Sequence, residues 1–357
     1  MREKPSIVII YNLPVYAKLA GEPLVISEEG KLEQRYAGEN ESIDVSEIAI
    51  EEECEIIFSI LQTLGYSVSR FGTDGNITSL VQFLEKEQPQ LIFNLCEGVG
   101  HDASKEMNIA AIFELLNIPF TGSGALTLGT SLHKMRVKEI LTYHNIPTPK
   151  FQLFHFANAN EQNNLNFPLI VKPSREDASI GIENTSIVKN NAQLYKRIHY
   201  IHERFSQPAL VEEFIDGREI NAAVIGYHKP HVLPLSEIDM STLPEGYPRI
   251  ITYNAKWMKG TIEYERTVRV CPAPLTKETE EKIMQLALSA FHLLGCRDYA
   301  RVDFRVSHNN EPYILEVNPN PDISEDAGFA ASALAAGYAY PQFIEAIIHS
   351  AMERLHS

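Results

Sequence analysis

The sequence predicts an α/β protein whose C-terminal part is α+β, and three observations carry that expectation. Near the start, short apolar runs alternate with a segment of helical period, the pattern of βαβ wiring. In the middle, two amphipathic helical stretches stop at Asn117-Ile118-Pro119 and at Asn145-Ile146-Pro147-Thr148-Pro149, because proline and the residue before it leave the helical region. Late in the chain, two strand-like stretches, 299–306 and 312–317, flank the turn-forming His308-Asn309-Asn310-Glu311, which makes a hairpin.

Taken in order, residues 7–10 read as a first buried strand. Residues 21–44 are acidic and weakly periodic, so they form a long loop or a small excursion. A helix is expected over 48–64 and a second strand from Gly65-Tyr66-Ser67-Val68. The apolar run 90–95 ends at Cys96-Glu97-Gly98-Val99-Gly100, a glycine-containing turn where open α/β sheets bind ligands. Residues 108–116 form an apolar-faced helix, and the first domain boundary follows at 118. A second amphipathic helix covers 131–144 and a strand covers 167–171. The expected domains are therefore 1–118, a small central unit 119–206, and 207–357. The last holds alternating strands, the hairpin, a helix over 276–295 and an Ala-rich helical end over 329–355.

At 357 residues and 44% hydrophobic content, the chain has material for two or three packed units, since single cores stop growing near roughly 250–300 residues. A formal charge of −16 and a pI near 5.2 argue against a nucleic-acid or anionic-membrane partner, which needs clustered Lys and Arg. The apolar run 7–11 is interrupted by Asn12 and Pro14 and is too short for a signal-peptide core or a membrane span. Cys54, Cys96, Cys271 and Cys296 are widely spaced without a C-x-x-C pair, so neither a disulfide framework nor a zinc site is expected, and reduced thiols in a cytoplasm fit.

The hairpin is where the chemistry concentrates. It carries Arg301-Val302-Asp303 on one strand and Glu316-Val317-Asn318 on the other, so Asp303, Glu316 and Asn318 converge on one face. Two carboxylates and an amide oxygen suit Mg²⁺, which usually joins one or two carboxylates to substrate phosphates; Mn²⁺ is the alternative cation. The competing reading is a surface hairpin with solvated acids. His228-Lys229-Pro230-His231 reads as an exposed turn, and Cys96 as a buried thiol at a strand end.

Several segments then fall in one order: Ile118-Pro119-Phe120-Thr121-Gly122-Ser123-Gly124, Lys134, Leu169-Ile170-Val171-Lys172-Pro173-Ser174-Arg175-Glu176, Leu210-Val211-Glu212-Glu213-Phe214 with Gly217-Arg218-Glu219, and the hairpin. In this the chain resembles the D-alanine–D-alanine ligases of the ATP-grasp superfamily over roughly residues 90–320. The resemblance implies an ATP-grasp fold preceded by a parallel α/β (pre-ATP-grasp) domain, with ATP clamped between two α+β subdomains. It implies that Lys134 and Lys172 hold phosphates, that Glu212, Glu213, Phe214 and Ile215 form the strand reading adenine, and that Glu219 takes the ribose hydroxyls. Asp303, Glu316 and Asn318 carry over as Mg²⁺ ligands and Arg301 as the cation at the acyl phosphate and oxyanion. Lys256, in Tyr253-Asn254-Ala255-Lys256-Trp257, matches a mobile-loop lysine at the γ-phosphate, and residues 243–261 would serve as a lid. Relatives are commonly homodimers.

The chain also departs from that family. Glu176-Asp177-Ala178-Ser179-Ile180-Gly181 replaces a loop rich in Gly and Ser; Asp177 stands for a glycine and Ala178 for a serine of the dipeptide site. A carboxylate about 4 Å from a phosphate costs on the order of 4 kcal/mol, so Asp177 must turn away or meet a cation. Trp257 stands where the family has a tyrosine bonded to that serine. Asp322 replaces a glycine, and Ala327-Gly328 replaces the Ser-Leu pair that holds the acceptor carboxylate. Either Asp322, Glu325 and Asp326 make the acceptor end more negative and favour a basic amine, or they start and cap the final helix together with Ser324. The glutamate that orients the first D-alanine has no clear counterpart; Glu47 lies near its place. The leading expectation is an ADP-forming carboxylate–amine ligase with a different acceptor. Its rivals are a D-alanine–D-alanine ligase proper and a non-catalytic ATP-binding regulatory protein.

Overall fold

The computed structural model describes residues 4–13, 45–100, 102–155 and 162–356; the polar stretch 21–44 lies outside them. The chain separates into two compact units, Met1–Glu106 and Met107–Ser357. The division falls at the start of a helix rather than after residue 118, and the expected central and C-terminal domains lie in one unit.

The first unit holds β1 (Ser6–Asn12), α1 (Val45–Thr63), β2 (Ser67–Thr73), α2 (Ile77–Glu87) and β3 (Leu91–Leu95). Its strands pair in parallel in the order β2-β1-β3, and all five residues of β3 are buried, as expected when helices cover both faces. The helix α2 was not anticipated. A parallel crossover requires such an element, and Asn76 starts it by accepting the Ser79 backbone N–H at 3.2 Å. Cys96 follows β3 with no exposed surface; burial pushes its thiol up to about 12, so it is no nucleophile.

The second unit begins with α3 (Glu106–Leu115), α4 (Ala125–Leu132) and α5 (Lys134–Tyr143). Asn117 and Asn145 adopt left-handed φ values of 54° and 56° after α3 and α5, the conformation in which Asn replaces Gly at a helix end. The single helix expected over 131–144 is broken at His133 (φ −81°, ψ 80°). The break lets the Lys134 N–H reach the Ser174 carbonyl at 3.3 Å. Next come β4 (Phe151–Phe154), β5 (Leu169–Pro173), β6 (Ile187–Val188), α6 (Asn191–Phe205) and β7 (Ala209–Glu213). These strands form a sheet in the order β4-β7-β5-β6, whose apolar face, including Leu169, Val171, Ala209 and Val211, packs with Leu194, Ile198 and Ile201 of α6.

The remaining elements are β8 (Gly217–Ile225), β9 (His231–Val232), β10 (Ser236–Asp239), α7 (Tyr253–Trp257), α8 (Ile262–Glu265), β11 (Val268–Val270), α9 (Lys277–Leu293), β12 (Tyr299–Ser307), β13 (Pro312–Asn318), α10 (Gly328–Ala335) and α11 (Tyr340–Glu353). Their sheet runs β11-β10-β8-β12-β13, with β9 on β8. The expected Ala-rich helical end is two helices, because Gly337 at φ 95° interrupts it. His228, Lys229 and Pro230 lie in the turn between β8 and β9, and His228 and His231, the latter opening β9, are both exposed.

The period of two along β8, β12 and β13 decides what the site contains. Ile220, Ala222, Val224, Val302, Phe304 and Val306 point into a core that includes Ile283, Ala287 and Phe291 of α9. Glu219, Asn221, Arg301, Asp303 and Arg305 alternate with them on the other face. A bulge after Asp303 shifts the register, so Glu316 pairs with Asp303 and Asn318 with Arg301 while Ile314 and Val317 stay in the core.

Candidate active site

The predicted hairpin therefore brings Arg301, Asp303, Glu316 and Asn318 onto one face. Asp303 is the hub. Arg301 donates to it twice at 2.8 Å, Asn318 Nδ2 donates to Oδ2 at 2.9 Å, and Asn221 Nδ2 donates to Oδ1 at 2.7 Å. Burial works against the Arg301 guanidinium, but Asp303 and Glu316 hold its pKa above the ordinary value. With the Asn318 nitrogen spent on Asp303, its carbonyl oxygen is left to accept, so two carboxylates and one amide oxygen fit a hard divalent cation. No group of three or more His, Cys, Asp or Glu able to hold a metal occurs among the described residues; the donor set here has two acids and an amide.

Helix α5 lies against both sheets and supplies the cations. Lys134 and Lys138, one turn apart, share a face and are 5% and 0% exposed. Lys134 Nζ lies 2.7 Å from Glu316 Oε2 and 2.8 Å from Asp177 Oδ1. Burial lowers the Lys134 pKa, but these two carboxylates outweigh it and raise the pKa above its usual value. Glu316 responds in the opposite sense: despite burial, Lys134 and then Lys172 hold its carboxyl well below the usual range. Asp177 thus meets a cation, one of the two outcomes expected for it from the sequence.

Lys138 Nζ donates to Thr148 Oγ1 at 2.8 Å, and Thr148 in turn donates to the Ile314 carbonyl at 2.8 Å. It also lies 3.1 Å from Glu212 Oε1, while Lys172 Nζ lies 2.8 Å from the same oxygen. Burial pushes Lys138 down to about 8; the two ammonium groups hold Glu212 low despite its own burial. The Glu212 side chain, 1% exposed, is thus the counter-ion of two buried lysines.

The rest of the expected adenine strand is arranged differently residue by residue. Glu213 turns to Asn166, whose side-chain amide donates to it at 2.8 Å. The Phe214 N–H donates to the Pro168 carbonyl at 3.0 Å, and the Ile215 carbonyl accepts from Arg305 Nε at 3.1 Å. Arg305 also donates to Glu219 Oε2 at 2.9 Å and to the Arg249 carbonyl. Burial raises Glu219 to about 7 against the pull of Arg305.

On the segment expected to serve as a lid, Lys256 sits on α7 with its Nζ 5.1 Å from the Trp257 ring centroid. The Trp257 indole N–H donates to the Ala178 carbonyl at 3.0 Å. The link that the tyrosine and serine would have made is thus kept in another form, side chain to backbone.

The acceptor segment carries a correction. Asp322 Oδ1 accepts from both the Ser324 N–H at 3.0 Å and its hydroxyl at 2.6 Å, a turn upstream of α10. The residue at the α10 N-cap is Ala327, with no side-chain cap, so Ser324 and the acids do not cap that helix. Nor is the segment simply negative. Arg269 of β11 donates to the Asp326 carbonyl at 2.6 Å, and a Cβ added at Gly328 would lie 3.3 Å from Arg269 Nε. Glu47 falls on α1, and its side chain is outside the described residues.

Four residues in contact with the candidate site are not among those picked out from the sequence: Lys138, Asn221, Arg269 and Arg305. Lys138 had a signal, four residues after Lys134 on one helix. Asn221 and Arg305 had another, single polar residues alternating with Ile220, Ala222, Phe304 and Val306. Arg269 had none, since it reaches the site from an edge strand distant in sequence. A separate cavity of about 820 Å³, lined among others by Tyr227, His231, Tyr338 and His349, is bordered by none of Lys134, Lys172, Asp303, Glu316 and Asn318.

Two sheets joined by buried lysines, with a carboxylate–amide face on the β12–β13 hairpin, define an ATP-grasp ligase, an ADP-forming enzyme that makes carbon–nitrogen bonds. The comparisons with known proteins agree. The family model described as D-ala D-ala ligase C-terminus matches residues 140–349. A D-alanine–D-alanine ligase of Carboxydothermus hydrogenoformans is 34% identical over 84% of this chain and 92% of its own. A protein of Sinorhizobium fredii named uncharacterized protein y4sG is 31% identical over 79% and 82%. The structure of a Bacillus anthracis D-alanine–D-alanine ligase complexed with ATP superposes with a TM-score of 0.72 at 21% identity, covering 98% of both chains. That of the VanG D-Ala:D-Ser ligase of Enterococcus faecalis gives 0.70 at 20%, covering 98% of this chain and all of the other. The chain belongs to the D-alanine–D-alanine ligase family.

Proposed function

We propose that the protein uses ATP and Mg²⁺ to activate a small carboxylate as its acyl phosphate, and that an amine then attacks to give an amide, ADP and phosphate. Lys134, Lys172 and Lys256 would neutralise phosphate charge, and Glu219 would take the ribose. Asp303, Glu316 and Asn318 would hold the divalent cation, which draws charge from the phosphate oxygens when bound. Arg301, fixed by Asp303, faces the place where the tetrahedral oxyanion grows, and such a preorganised charge lowers the barrier without reorganising. The lid joined through Trp257 to Ala178 would keep water from the acyl phosphate. The protein's share is positioning and electrostatics, as in phosphoryl transfer generally.

The acceptor site is read as altered from that of a dipeptide ligase. The observation that carries this is the absence of a side-chain hydroxyl at both Ala178 and Ala327, the first met only through its backbone carbonyl. Charge singles out a basic amine less sharply than the sequence suggests, because Arg269 stands near Asp322 and Asp326 and offsets part of the negative charge. Arg269 also supports the second reading, a D-alanine–D-alanine ligase proper, since a guanidinium suits an acceptor that bears a carboxylate. ADP release with Mg²⁺-ATP, measured against pairs drawn from D-alanine, L-amino acids, basic amino acids and diamines, separates the two. Release with D-alanine alone establishes the second reading; release only with another pair establishes the first.

A further inference from the structure

Asp177 and Glu316 both reach the one ammonium of Lys134, at 2.8 and 2.7 Å. The trio carries two negative charges and one positive. Lys134 is buried, whereas the Asp177 side chain keeps 44% of its surface exposed, so the carboxylate stands on the open side of the lysine. Its loop is tied on both flanks. The Arg175 N–H donates to Gln207 Oε1 at 2.7 Å, and Gln207 Nε2 donates to Glu176 at 2.6 Å. Ala178 and Ser179 are held at left-handed φ values of 53° and 60°, which side chains rarely adopt. Beyond them, the Trp257 indole and the Tyr253 N–H bond to the carbonyls of Ala178 and Ile182 at 3.0 Å each.

We propose that Asp177 is a positioning and gating residue: it is the counter-ion that a nucleotide phosphate must displace from Lys134, and it makes nucleotide binding depend on the divalent cation. This rests on the reading of Lys134 as a phosphate partner and Glu316 as a metal ligand. Without a cation, a phosphate approaching Lys134 meets two carboxylates and a net negative trio. With a cation, Glu316 turns to the metal, Lys134 keeps one carboxylate instead of two, and its ammonium becomes available to phosphate. A glycine at 177 would leave only the Glu316 carboxylate on Lys134 and so weaken that condition.

The test is nucleotide binding, not turnover. Trp257 is the single tryptophan of the chain and is bonded to this loop, so its fluorescence reports directly on ATP titrated with excess chelator or with Mg²⁺. Asp177→Asn is expected to tighten chelator-ATP binding roughly tenfold, the effect of one half-exposed carboxylate beside a phosphate, and to narrow the ratio between the two conditions; Asp177→Glu is expected to restore the wild-type ratio. Unchanged or weaker chelator-ATP binding by Asp177→Asn, with an unshifted melting temperature, overturns the proposal. Lys134→Met tests the premise separately: undiminished Mg²⁺-ATP binding in that variant would show that Lys134 is no phosphate partner, and would remove the proposal along with that reading.

Discussion

Lys138 has no exposed surface and shares the Glu212 carboxylate with Lys172. Removing one member of a buried charge cluster leaves the others uncompensated, at a cost of about 3–5 kcal/mol. Lys138→Met is therefore expected to lower the unfolding free energy by that order, read from denaturant titration, and Lys138→Met with Glu212→Gln to cost less than the two changes summed, read in a double-mutant cycle. Asp303 acts through a different balance. It accepts from Arg301, Asn221 and Asn318, so Asp303→Asn keeps the shape but loses the charge that holds the guanidinium and, on the proposed reading, would hold the cation. ADP release is expected to vanish while adenine binding persists; ADP release at the wild-type rate would rule out the metal assignment.

At the scale of elements, α7 and the loop 174–181 behave as one strap because the indole of Trp257 bonds to Ala178. Trp257→Phe keeps an aromatic ring and removes the N–H. The strap should then open to water, raising ADP formed per amide formed; a ratio of one in that variant would show that the bond does not guard the intermediate. The start of β8 is equally exacting. Gly217 has φ 151°, and an added Cβ would overlap the Val306 carbonyl of β12. Gly217→Ala is expected to displace the β8–β12 ladder that carries Glu219, Asn221 and Asp303, lowering both melting temperature and nucleotide affinity.

At the scale of the molecule, Asp298 gathers distant segments of the second unit. Its Oδ2 accepts the Gly122 N–H at 2.9 Å and lies 3.2 Å from Arg354 near the C-terminus. Burial raises Asp298 to about 6 and Glu219 to about 7. A carboxyl whose folded pKa exceeds its unfolded value binds more protons folded than unfolded, so its contribution falls as pH rises through that window. These two groups should make the melting temperature decline from about pH 4 to about pH 7, and Asp298→Asn should flatten the decline below about pH 6. No helix among the described residues is long and apolar enough to cross a membrane.

The sequence by itself determined the order of the motifs, and with it the ATP-grasp architecture, the hairpin and the separation of core from site. The hairpin and the separation of core from site follow from period-two alternation and from helix-stopping Asn and Pro, which act within a few residues; the architecture follows from the family resemblance that the ordered motifs carry. Tertiary structure decided the partners. That Asp177 faces Lys134, that Glu212 is buried between two lysines, and that Arg269 stands among the acceptor acids all depend on residues brought together from separate elements. Charge and burial at a site are sums over neighbours in space, and no spacing along the chain contains them.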